Sequence, residues 1–262
     1  TPMSPPNTIC LVNRAACRLL VVGLLFQVLL FCSHCSWKPP DPNELRFKEA
    51  AKKLREIQFG AFQETKEERT FTHEGWLVST VKLDAQQQYL RSKQPSWKKI
   101  EDELTQVANS SGDHRWKDDA MFCLAFGHSI FSQAYLKNQT PEEKEALRKS
   151  VEVQEEFISY NVQPFDVEDW TRRTFPDVFT EAMDYSFPGN VELSLKEKLN
   201  ALFLFFTAGT YEKSSQKAKA LKTYKLVVER YPESGLAKSA EAQIMVLEGK
   251  IKLPAGVARP SK

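Results

Sequence analysis

At 262 residues, 42% hydrophobic and 27% charged, the chain is long enough to bury a real core and too apolar to be disordered throughout. Its net charge of +2 rests on Arg14 and Arg18, because no acidic residue precedes Asp41 and from Ser36 onward 34 basic residues face 34 acidic ones. That balance lacks the basic excess that releases counterions from a phosphate backbone, so nucleic acid is not an expected partner.

Arg14 and Arg18 stand just before Leu19–Cys32 (LLVVGLLFQVLLFC), where Gln27 is the one polar interruption. Basic residues, an apolar run and then small polar residues form the layout of a secretory signal. Residues 1–35 are therefore expected to be a signal peptide or membrane anchor, and three routes stay open. Cleavage after Cys35 would release a soluble exported protein, and lipid attached to Cys32 or Cys35 would tether it. Retention would use Leu19–Trp37, whose 19 residues just reach across hydrocarbon about 30 Å thick. Cys10, Cys17, Cys32 and Cys35 all fall in or before this segment, leaving Cys123 as the single cysteine of the body and no internal disulfide there.

Residues 36–43 (SWKPPDPN) hold three prolines and read as a short stiff spacer. Asn43 is placed to cap a helix over 44–63, with Leu45, Ala50, Leu54, Ile57 and Ala61 on one side. Lys66–Arg69 reads as a charged break. Trp76–Leu83 has the β-branched content of a strand, yet its continuation into Ala85-Gln86-Gln87-Gln88-Tyr89-Leu90 favours helix. A helical pair is predicted over Trp97–Ala108 and Lys117–Tyr135. Thr140-Pro141-Glu142-Glu143 then starts a helix to about Tyr160, with threonine as cap and glutamates on the helix dipole. The stretch 161–190 interrupts the pattern with acids and with Phe165, Trp170, Phe175, Phe179 and Tyr185. Leu193–Thr210, apolar all round at its centre, is expected to be buried on most sides. A last pair covers Lys213–Arg230 and Leu236–Lys250, and 254–262 is a basic tail.

The two clear pairs share one pattern. Leu104, Val107, Ala108, Trp116, Ala120 and Leu124 occupy the places of Tyr224, Val227, Val228, Leu236, Ala240 and Ile244, shifted by 120 residues. Apolar residues three and four apart form one helix face, and a small residue in the second helix lets backbones approach closely. Such self-similarity marks helical hairpins that bury their faces only by stacking. With Tyr231-Pro232-Glu233-Ser234-Gly235 before Ala237 and Ala240, and Trp116-Lys117-Asp118-Asp119-Ala120 in the first unit, the chain resembles tetratricopeptide-like repeat proteins of the bacterial cell envelope. The outer-membrane assembly lipoprotein and Tol–Pal coordinator families carry similar patterns. The resemblance implies an all-α fold, a short solenoid of stacked hairpins over 44–253 with an insertion at 161–190. It assigns hairpin packing to Trp116, Ala120, Tyr231, Pro232 and Ala240.

The expected function follows from that reading. It is a non-enzymatic protein–protein interaction scaffold of the cell envelope, serving envelope or outer-membrane assembly, exported and periplasmic or membrane-anchored. Its partners would be other envelope proteins, with the membrane reached through the N-terminal segment and no cofactor required. Phe165, Trp170, Phe175, Phe179 and Tyr185 are the candidate partner-binding residues, as an aromatic rim whose acids select basic partners. Cys32 and Cys35 are the candidate lipidation sites. The alternative is an exported metal-dependent envelope enzyme using His114, Asp118 and His128, set against the simpler reading that Asp118 and Asp119 complement a helix N-terminus.

Overall fold

A computed structural model describes residues 41–64, 66–71, 77–110, 115–135, 139–160, 165–188 and 192–250, with side chains described throughout except at 66–71, 77–84 and 181. Leu19–Cys32, Cys35, Trp76, His114 and the 254–262 tail lie outside these residues. Ten helices and one hairpin are present among them: α1 (Pro42–Gln63), β1 (Lys66–Phe71), β2 (Leu77–Lys82), α2 (Leu83–Ser92), α3 (Gln94–Ala108), α4 (Lys117–Ser132), α5 (Pro141–Ser159), α6 (Asp169–Thr174), α7 (Met183–Ser186), α8 (Leu195–Lys213), α9 (Lys217–Arg230) and α10 (Gly235–Leu247). A π-helical turn, Asp177–Ala182, leads into α7.

The helical class is as expected, and the start of α5 has the anticipated chemistry. Thr140 caps α5 in a reciprocal capping box with Glu143, and Pro141 occupies the first turn. Ser194 and Glu197 form the same box at α8, and the Ser234 side chain accepts the Ala237 N–H at α10. Three local expectations are corrected. The helix begins at Pro42, so Asn43 sits inside its first turn rather than capping it. Phe47, not Leu45, joins Ala50, Leu54, Ile57 and Ala61 in the core, and Leu45 is exposed. Leu77–Lys82 is a strand rather than helix, paired antiparallel with the supposed charged break so that Lys66 faces Lys82 and Phe71 faces Leu77. The cross-strand ladder satisfies backbone groups that the β-branched run would otherwise place in a poor helix, and helix resumes at Leu83.

The long helices pack in series: α1 on α3, α3 on α4, α4 on α5, α5 on α8, α8 on α9 and α9 on α10. Helix α4 also touches α1 and α8, and every residue from Asp119 to Ser132 is buried. An α-helix apolar all round belongs inside, and α4 is the centre of the array. The closest approach there is at Gly127, where an added Cβ would lie 2.1 Å from the Trp97 ring. That indole is buried and stacked on Phe131 at 5.0 Å, so making room for a Cβ would disturb that stacking. Gly127→Ala should therefore lose about 1–3 kcal/mol to overpacking, against about 1 kcal/mol gained in helix propensity. A chemical-denaturation midpoint at or above that of the natural chain would show that the contact is not tight.

Candidate interaction site

Residues 165–188 dock onto the array through the first turn of α4. Asp118 accepts the Tyr160 hydroxyl at 2.8 Å and the Asp166 N–H at 3.1 Å, while Asp119 accepts the Glu168 N–H at 3.1 Å. Asp119 is fully buried, its second oxygen has no hydrogen bond, and neither has the buried Thr171 hydroxyl. Burial pushes the Asp119 carboxyl up to about 6, while the neighbouring Thr171 hydroxyl and the Glu168 N–H act the other way. Arg115 grips both oxygens of Glu168, and this pairing holds Glu168 below the usual carboxylate range.

Aromatic rings continue the attachment. Trp116 stacks on Phe47 with centroids 5.1 Å apart, Trp170 meets both edge-on, and Lys48 Nζ lies 5.1 Å from the Trp116 ring. Phe175 is fully buried, 5.9 Å from Phe122 and 5.5 Å from Phe126, and Phe179 lies 4.8 Å from Phe122. Phe165 packs edge-on against Phe157 at 5.7 Å, beside Lys196, whose Nζ is 3.6 Å from the Phe157 centroid and donates to the Phe157 carbonyl at 2.6 Å. Burial pulls that ammonium down to about 8. On the far side Asp177 accepts from Arg55 and Gln58 of α1.

The expected aromatic rim is thus corrected residue by residue. Phe175 is core, and Phe165, Trp170 and Phe179 are half-buried and packed against it. Tyr185, 80% exposed, is the one of the five that faces solvent. Asp166, Asp169, Arg173 and Asp184 of the same segment are exposed as well. Of the hairpin-packing residues, Trp116, Ala120 and Ala240 are buried and Tyr231 is half-buried. Pro232 is exposed, so it ends α9 without packing.

A second feature was not legible in the spacing. A groove of about 220 Å³ between α3, α4 and α5 is lined by Trp97, Glu101, His128, Tyr135 and Lys149, among others. His128 Nε2 lies 3.1 Å from Glu101 Oε1, and Lys149 pairs with the same carboxylate. Burial alone would raise Glu101, but those two partners hold it at about 2. Behind them Ser150 donates to the His128 carbonyl at 2.8 Å, Gln154 donates to Ser150, and Thr207 of α8 donates to Gln154 at 2.8 Å. This polar line crosses four helices and ties their register together. Its members come from four elements, so no local motif announces them.

Of the candidate metal residues, Asp118 and His128 are not brought together. Asp118 and His128 are ten residues apart on α4, about 15 Å along its axis, each with its own partners. Among the described residues no group of three or more His, Cys, Asp or Glu could hold a metal ion, and no helix is long and apolar enough to cross a membrane. Cys123 is a buried free thiol, raised well above its ordinary range by burial. No protein-family model matches the chain, and neither a curated protein nor a solved structure does.

Proposed function

We propose that this chain is a non-enzymatic protein–protein interaction scaffold of the bacterial cell envelope, built from tetratricopeptide-like hairpins and serving envelope assembly. The observation that carries the reading is the serial packing of α3, α4, α5, α8, α9 and α10, each on its neighbour, which leaves grooves between successive helices open to a partner. The matched positions of the α3–α4 and α9–α10 pairs support the repeat character, since Leu104, Val107, Ala120, Tyr224, Val227 and Ala240 are all buried. Export is supported by Arg14, Arg18 and the apolar run that follows them. Membrane tethering would come from that run or from lipid on Cys32 or Cys35.

Photo-crosslinking in intact cells tests this reading. A photoreactive residue at Lys149, on the α3–α5 groove, or at Tyr185 should yield discrete protein adducts in the envelope fraction. The same residue at Lys52, on the exposed side of α1, should yield none. Adducts absent from both sites, or a chain found wholly in the cytoplasm, would overturn the proposal.

A further inference from the structure

The last hairpin presents an apolar outer face. Helix α10 buries Leu236, Ala237 and Ala240 inward, while Ile244 is half-buried and Met245 is 38% exposed. With Val228 of α9 these two floor a groove of about 450 Å³. Among the described residues no element packs beyond α10. The end of a stacked array is best polar when it faces water alone, and this one carries an apolar strip between its charges.

The charges around the groove say what fits it. Helix α9 runs toward the 231–234 turn and α10 runs back, so Glu229 and Glu241 lie at the turn end of the groove, where neither forms an ion pair with a described residue. At the open end Lys225 and Lys250 both pair with Glu248, at 3.4 and 2.7 Å, leaving one positive charge in excess. Lys225 and Glu229 are about 6 Å apart along α9, and Glu241 and Glu248 about 10 Å apart along α10. The groove is therefore acidic at one end, basic at the other and apolar between. A two-fold axis through its middle lays the acidic end of one copy on the basic end of the next. We propose that a second copy of this chain covers this face, making the α9–α10 hairpin a homodimer interface. An unrelated helix would need the same charge order by coincidence, whereas a second copy carries it.

Sedimentation equilibrium of the full chain in density-matched mild detergent tests the interface, with circular dichroism confirming that each variant is folded. A concentration-dependent dimer is expected, and Met245→Glu should weaken it by about tenfold or more. Glu241→Lys and Lys225→Glu should each weaken it at low salt, and the two together should restore it, because each reversed residue meets its reversed counterpart across the axis. A chain still monomeric at roughly 200 µM overturns the proposal. So does a dimer indifferent to Met245→Glu, as association through Leu19–Cys32 would be, or a charge pair that shows no rescue. Dimerisation that appears only when residues 251–262 are removed would assign the face to that segment instead.

Discussion

An Asp119→Asn variant is expected to be more stable than the natural chain near pH 8, with the advantage gone near pH 4. Asp119 is fully buried at the start of α4, and its carboxyl is raised from 3.8 to about 6. A carboxyl raised on folding contributes most while protonated, and that contribution is lost as pH climbs from about 4 through about 6. The shift corresponds to ~3 kcal/mol at most. Asparagine keeps the acceptor for the Glu168 N–H and adds a donor that can meet the Thr171 hydroxyl, without a buried charge. Allowing about 1 kcal/mol for imperfect amide geometry, the net gain should be ~1–2 kcal/mol at alkaline pH. Urea denaturation of both proteins across this range is the measurement. Equal stabilities at every pH would show that Asp119 titrates as a solvated carboxylate does. Glu101 is displaced oppositely, from 4.5 to about 2, so its contribution is lost as pH falls from about 4.5 through about 2, and being common to both proteins it cancels from their difference.

The larger single loss is expected at Phe175. Its ring is fully buried between Phe122 and Phe126, and Phe175→Ala should cost about 3–5 kcal/mol. Tyr185→Ala, ten residues on and exposed, should stay within about 0.5 kcal/mol. The contrast separates inner from outer face in one segment, read by denaturation midpoint with unchanged slope. Replacing Pro164–Pro188 by a flexible linker should then do more than close a loop, since it uncovers Phe47, Trp116, Phe122 and Phe126 together. Loop-closure entropy, which favours tolerance of such a change, is small beside that apolar exposure. A Phe175→Ala variant within about 1 kcal/mol of the natural chain would return the segment to the status of a surface insertion.

Local chemistry was legible wherever neighbours in sequence are neighbours in space. The Thr140 cap, the break at Tyr231–Ser234 and the buried positions of the α3–α4 and α9–α10 pairs all depend on residues one to four apart. The hairpin failed at this level because Leu77–Lys82 takes its hydrogen bonds from Lys66–Phe71, a partner that helix propensity does not count. The docked segment failed for a related reason. Trp170, Phe175 and Phe179 have the same composition whether they face a partner or the core, and what turns them inward is Asp118 and Asp119, about fifty residues away. Likewise Glu101, His128, Ser150, Gln154 and Thr207 become one polar line only when α3, α4, α5 and α8 are stacked. The sequence by itself determined the helical class, the Thr140 cap and most faces of individual helices, because these follow from spacing along the chain. Only the tertiary structure decided that α4 is enclosed while α10, with the same pattern, keeps one apolar face open. Burial depends on how many neighbours a helix has, and that is a property of its place in the array.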